Sequence, residues 1–499
     1  MLAEALRLTT SQEDIDELTA QLEAELKECE ATTVSYKNKL KQFMMENDIW
    51  QISELNYYWR EKYCEYLKNR MSKTSCELYI KTFDRVKLHS LRKQPQIILA
   101  GKRQRLEYAD EILYLPYHPN IEIAERFCRE NNKNLLAWDF TLIAAEKLKR
   151  QIFQVLHYFI ENAANSERMH AQLGGLARLY DFCILEQIED LEKLEIDQIE
   201  RFQKTFTTEY QRHYYAGVTY WCGRALFMEA EEIHWDANVW YMERMHLQPE
   251  RIDPAAPIMS LSFAEVTNKE NRKLLQKYLR YGIGIANLSI SSLRTEFLVV
   301  RKFLGDMNQP ETENICMVTE QQMDAWLRSE QQREVQADTF NKKVMCILHF
   351  FQYLQIKDYI TAIPFDPNYY LKKTFMQHHD RSVAQETMDQ IRRNLYRFPE
   401  EVRLMYLHLW GVGLRISEVC TLKGNAYYLQ GKDAWIQVYQ IKMRTYKRIP
   451  IPMTLYRLMQ VYITKYKRKT EEYIFQNRNG GAYRKTTCLL YTSPSPRDA

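Results

Sequence analysis

One ten-residue string carries most of the chemistry that can be read from this chain: Gly413-Leu414-Arg415-Ile416-Ser417-Glu418-Val419-Cys420-Thr421-Leu422. Just before it, Gly411-Val412-Gly413 ends one apolar helix abruptly, so Arg415 is expected in the first turn of a new one. There its guanidinium and the helix N-terminus could together face a phosphate. Glu418, three residues on, shares that helical face and could hold Arg415 in place. Ile416, Val419 and Leu422 would bury the helix.

A basic region follows. From Gln437 to Cys488 there are twelve Lys and Arg against two Glu, a net charge of +10, while the whole chain carries only +4. The remainder is therefore slightly acidic, and charge this concentrated suits a polyanion such as double-stranded DNA. Ala426–Gln430, Ala434–Lys442 and Tyr446–Pro452 read as three strands, with turns at Gly431-Lys432-Asp433 and Met443-Arg444-Thr445.

The string resembles the first catalytic-arginine motif of the tyrosine recombinases, the phage-integrase family, G-L-R-x-S-E-[LV]-x-x-L. That family places a three-stranded sheet after the motif, with a catalytic lysine in the turn between its second and third strands. The lysine falls in a pattern close to K-x-x-K-x-R-φ-φ-P, eight residues before the proline. Lys442 stands eight residues before Pro450 and 27 after Arg415, although Arg444, Lys447 and Arg448 are out of register with the pattern. The resemblance implies that Arg415 stabilises charge on the phosphate oxygens, Glu418 supports it, and Lys442 is the general acid, with Lys447 as the alternative. It also implies DNA contacts from Arg444, Lys447, Arg448, Arg484 and Lys485. The implied reaction is DNA strand transesterification through a phosphotyrosine, with no cofactor and no metal, by a protein that works as a homo-oligomer on DNA.

The resemblance then breaks off. Tyr473-Ile474-Phe475 and Asn479-Gly480-Gly481-Ala482-Tyr483 resemble the strand and turn that precede the family's H-x-x-R helix, but no H-x-x-R follows. Tyr491, 76 residues past Arg415, is too close to be the nucleophile, which stays unassigned. The Ser-Pro-Ser-Pro tail of 489–499 reads as a non-native scar. The chain as written is thus expected to be inactive, and a catalytically inactive DNA-binding accessory protein is the alternative function.

The elements that must position these residues are mostly helical. Apolar residues at 45% suffice for real cores, while only 14 Gly and 14 Pro argue against an all-β or disordered chain. The expected fold is mainly α with a small three-stranded β-sheet. Ser11–Lys41 should be an amphipathic helix or helical hairpin. A short acidic-hydrophobic helix, a polar break and a longer aromatic helix recur near Asn47, Leu194 and Val318, which suggests repeated small bundles. Helices are expected over Phe140–Ala164 and Asn271–Leu304, with Gly282 and Gly284 as a helix interruption rather than a phosphate loop.

The expected layout is helical N-terminal modules over 1–250, a SAM-like core-binding domain over 262–375 and a partial catalytic domain over 381–488. Proline-marked breaks fall at Arg251–Ser260 and Ile363–Pro367. Ten cysteines without metal spacing, no signal peptide and no apolar run of membrane length point to a cytoplasmic protein with no membrane partner.

Overall fold

The computed structural model describes residues 12–29, 33–68, 70–93, 98–99, 102–103, 108–130, 135–284, 288–307, 310, 312–375 and 383–486. The chain forms two compact units, Met1–Glu229 and Ala230–Ala499.

In the first unit, helices α1 (Gln12–Glu28) and α2 (Val34–Glu46) form the expected hairpin, followed by α3 (Tyr57–Lys68) and α4 (Lys73–Lys93). Leu22, Leu26, Leu40, Phe43, Tyr63 and Phe83 meet in its core. Each of the Leu and Phe side chains contributes about 1.5–3 kcal/mol on full burial. Short strands β1 (Ile98–Leu99) and β2 (Lys102–Arg103) pair with each other. Next come β3 (Ile112–Tyr114), α5 (Ile121–Cys128) and β4 (Ala137–Asp139), with β3 antiparallel to β4. A second bundle follows: α6 (Glu146–Asn162), α7 (Ser166–Leu185), α8 (Ile196–Lys204), α9 (Glu209–Tyr214) and α10 (Val218–Glu229).

The second unit opens with β5 (Val239–Tyr241) antiparallel to β6 (Ser260–Ser262). The bundle after it has helices α11 (Lys269–Gly284), α12 (Ile290–Met307), α13 (Glu320–Gln332) and α14 (Ala337–Ile356). Gly284 ends α11, in keeping with a helix interruption.

The three bundles share one local device. In each, two helices lead to a 3-10 turn, at Ile52–Glu54, Leu191–Lys193 and Ile315–Met317. The first N–H of each turn donates to a side chain on the bundle's first helix. Ile52 reaches Glu25 Oε2 at 3.0 Å, Leu191 reaches Gln151 Oε1 at 2.8 Å, and Ile315 reaches Asn271 Oδ1 at 2.7 Å. One buried apolar residue later (Leu55, Leu194, Val318), a polar residue starts the next helix. Asn56 accepts from the Trp59 N–H, while the Glu195 and Thr319 N–H groups donate to Gln198 and Gln322. These caps satisfy amides that a helix start leaves unpaired.

Arg251–Ser260, read from its prolines as a break between domains, lies inside the second unit and is pinned at Arg251 and Ala255. The Arg251 guanidinium donates to Leu288 O at 2.9 Å, Ile283 O at 2.7 Å and Gly282 O at 3.2 Å, capping the end of α11. Ala255 is 1% exposed and belongs to the core of the C-terminal part. Prolines end helical hydrogen bonding, but they do not prevent packing.

That C-terminal part starts with α15 (Gln385–Asn394) and α16 (Glu400–Gly411). It continues through α17 (Ile416–Cys420), the sheet β7 (Tyr427–Gln430), β8 (Asp433–Gln440) and β9 (Thr445–Ile451), and α18 (Met453–Lys465). The sheet is antiparallel in the order β7-β8-β9, with Ile436 opposite both Tyr427 and Ile449. Ala434, Ile436 and Val438 alternate inward onto α17 and α18, as a strand with one covered face must. Residues 422–425 are strapped by 469–474 through Ile474 N to Leu422 O (2.8 Å), Gly424 N to Glu472 O (3.0 Å) and Asn425 N to Thr470 O (3.1 Å). Tyr491 and residues 489–499 lie outside the described residues.

Candidate functional site

The turn between α16 and α17 is built around Gly413, whose φ of +71° is open to glycine and strained for other residues. The Val412 and Leu414 N–H groups both donate to His408 O, ending α16 and turning the chain. Arg415 then takes extended backbone angles as the residue just before α17, one position earlier than the first turn expected from the sequence. With five residues, α17 is little more than one turn, so the group here suited to an anion is the guanidinium rather than a helix end.

Glu418 holds Arg415 twice. The Arg415 N–H donates to Glu418 Oε2 at 2.9 Å, and its Nη1 donates to Glu418 Oε1 at 3.0 Å. The Glu418 side chain is 5% exposed and that of Arg415 is 61% exposed. A buried carboxylate thus fixes the base of a cation whose remaining donors face outward. Charge-assisted bonds of this kind are stronger than neutral ones, and the arrangement suits a phosphate.

A third group joins them. Gln440, the last residue of β8, donates through Nε2 to Glu418 Oε1 at 3.2 Å. Its carbonyl accepts from Met443 N at 3.1 Å and Arg444 N at 2.7 Å, closing the turn that carries Lys442. Arg444 takes φ +53° in that turn. Lys442 is exposed and has no carboxylate partner among the described residues. Lys447, opposite Val438, is held in the β9 ladder and shares a face with Ile449 and Ile451, while Arg448 faces the other way and donates to Gln437 Oε1 at 3.2 Å. A turn lysine has more reach than one fixed in a ladder.

The remaining predicted DNA contacts do not all stand free. Arg484 is exposed. Lys485 is engaged, its N–H donating to Ala255 O at 3.0 Å and its ammonium lying 3.6 Å from Asp253. Burial, and then the charge of Arg444, pull the Arg251 guanidinium below its usual value, which sets Arg251 and Arg444 in one positive neighbourhood. Behind the site, His408 is fully buried, with Nδ1 2.6 Å from Leu404 O and Nε2 2.5 Å from the Tyr427 hydroxyl. The carbonyl can only accept, so Nδ1 carries the proton and Nε2 accepts from the tyrosine. Among the described residues, no three His, Cys, Asp or Glu side chains are gathered to hold a metal, and no helix is long and apolar enough to cross a membrane.

Sequence reasoning missed Gln440 and the Ala255–Lys485 contact. No spacing rule points to either, because their partners lie far away along the chain.

Residues 381–492 match the phage integrase family. The chain is 22% identical over 269 residues to transposase B from transposon PsiTn554 of Staphylococcus aureus, covering 52% of this chain and 42% of that one. Transposase B from transposon Tn554 of Staphylococcus aureus strain Mu50 gives the same figures. The chain thus spans less than half the length of these two relatives. The solved XerH site-specific recombinase bound to its difH substrate, in a pre-cleavage complex, is 13% identical. That match covers 46% of this chain and 70% of that one, with a TM-score of 0.32.

Proposed function

We propose, for a chain whose residues 381–492 belong to the phage integrase family of tyrosine recombinases, that it takes part in site-specific recombination of a mobile element's DNA. The reaction is a strand transesterification through a phosphotyrosine bond. Arg415 neutralises the nonbridging phosphate oxygens, Glu418 holds it, and Lys442 protonates the leaving 5′ oxygen. Arg444, Lys447, Arg448 and Arg484 contact the DNA backbone. Lys485 joins them only by leaving Asp253. The nucleophile stays unassigned, and assembly of several copies on DNA belongs to the same proposal. So does the layout in which the 262–375 bundle grips DNA beside the catalytic part while 1–250 supplies further helical modules.

The observation that carries this reading is the exposed Arg415 seated on the buried Glu418 carboxylate, beside the foot of the hairpin that presents Lys442. Phosphate-ethylation interference tests it, on a duplex from the end of the mobile element. Wild type should lose binding when one particular phosphate is ethylated, and Arg415→Ala should be indifferent to that phosphate. An interference pattern unchanged by Arg415→Ala would refute the assignment. Trapping on a nicked suicide duplex separates the enzyme from a DNA-binding accessory protein, since a covalent adduct requires a nucleophile in the chain and its absence favours the accessory role.

A further inference from the structure

We infer that Gln440 is a positioning residue, a brace that ties Arg415 to the lysine-bearing turn so that both cations keep one setting on the phosphate. The inference rests on the function proposed above for Arg415 and Lys442. Glu418 is the fulcrum. Its Oε1 takes both the Arg415 Nη1 at 3.0 Å and the Gln440 Nε2 at 3.2 Å, and its Oε2 takes the Arg415 N–H at 2.9 Å. The orientation of the Gln440 amide is fixed by chemistry, because an ionised carboxylate only accepts and the NH2 must face it.

Gln440 works from its backbone as well. Its carbonyl receives the Met443 and Arg444 N–H groups that close the 441–444 turn, and it stands opposite Thr445, the first residue of β9. Gln440 follows Ala434, Ile436 and Val438 on the inward face of β8, which carries its side chain toward α17. A single residue therefore sets the turn through its carbonyl and the arginine's support through its amide. The DNA reaches Arg415 rather than Gln440, so the brace acts through another group.

The test is a double-mutant cycle in the affinity of the full chain for duplex DNA from the element's end, with thermal melting as a check on folding. Gln440→Leu should weaken binding about three- to tenfold, in the range of coupling between contacting residues. It should add nothing once Arg415→Ala is present. Gln440→Glu supplies a second readout. Two carboxylates in contact repel, and a proton bound by one of them lets it donate to the other as the amide does. The affinity of Gln440→Glu relative to wild type at the same pH should therefore recover as pH falls.

If the losses from Gln440→Leu and Arg415→Ala add, or if Gln440→Glu shows no recovery, the brace is overturned and the role of Arg415 stands. If Arg415→Ala leaves DNA affinity unchanged, the proposed role of Arg415 falls and takes the brace with it. Should Gln440→Leu fail to fold, the pH series on Gln440→Glu decides alone.

Discussion

Acid should destabilise the C-terminal part through His408, and the size of the effect follows from its surroundings. The ring is fully buried beneath the Arg415 turn, with a carbonyl on Nδ1 and the Tyr427 hydroxyl on Nε2. Neither bonded neighbour is a carboxylate that could balance a charge. Burial pulls its pKa from the usual 6.5 down to about 4. In the unfolded chain the imidazole binds a proton at about 6.5, so between these values the unfolded state holds more protons. Stability is then fully present above about pH 6.5 and is lost as pH falls, by about 1.4 kcal/mol per pH unit. Going from about pH 7.5 to pH 5 should therefore cost about 2 kcal/mol, and about 3 kcal/mol is lost by pH 4.

The assay is urea denaturation at both pH values, read at the Ile436 and Val438 amides by hydrogen exchange corrected for intrinsic rates. His408→Gln keeps a donor and an acceptor but cannot titrate. It should be less stable than wild type at neutral pH and lose about 2 kcal/mol less on acidification. An equal acid loss in wild type and His408→Gln would show that the proton is taken up elsewhere, and the argument from the buried ring would fail.

Other consequences are local. A Cβ on Gly424 would come within 2.2 Å of Lys469 O, so Gly424→Ala must displace backbone in the strap and should lower the melting temperature of the C-terminal part. Calorimetry showing an unchanged melt would contradict the 422–425 to 469–474 pairing. Asn271→Leu orphans the buried Ile315 N–H and should cost about 1–3 kcal/mol in urea denaturation of the 269–356 bundle; a neutral result would mean that the 3-10 turn finds another acceptor. Lys442→Ala should weaken DNA binding and reduce the salt dependence by about one charge, whereas Asp253→Asn, which releases Lys485, should steepen it. Anisotropy titrations at several salt concentrations check both, and equal slopes in all three proteins would remove these lysines from the interface.

The sequence by itself determined what depends on neighbours within a few residues. Gly413 two residues before Arg415, with Glu418 one turn on, points to a sharp turn and a held guanidinium, and Arg415 and Glu418 are paired at 3.0 Å. Gly431 marked the turn before β8, and alternation in β8 and β9 marked the sheet with Lys442 between its strands. The short helices expected after Leu194 and Val318 start at Ile196 and Glu320, whereas the one expected at Asn47–Ile52 is a 3-10 turn at Ile52–Glu54, with the helix starting only at Tyr57.

Tertiary structure alone decided what bridges separated segments. Gln440 reaches Glu418 across 22 residues. The three 3-10 turns reach back to Glu25, Gln151 and Asn271 across 27, 40 and 44 residues. Those separations differ and the acceptors are three different residue types, so no fixed spacing could reveal one shared contact. The three-residue strands pairing β3 with β4 and β5 with β6 are too short to show a period of two. Arg251 and Ala255, in a proline-rich stretch that reads as a linker, became a helix cap and a core residue. Periodicity records which face of a local element is apolar, whereas the partner of a polar side chain is chosen by where distant segments come to rest against one another.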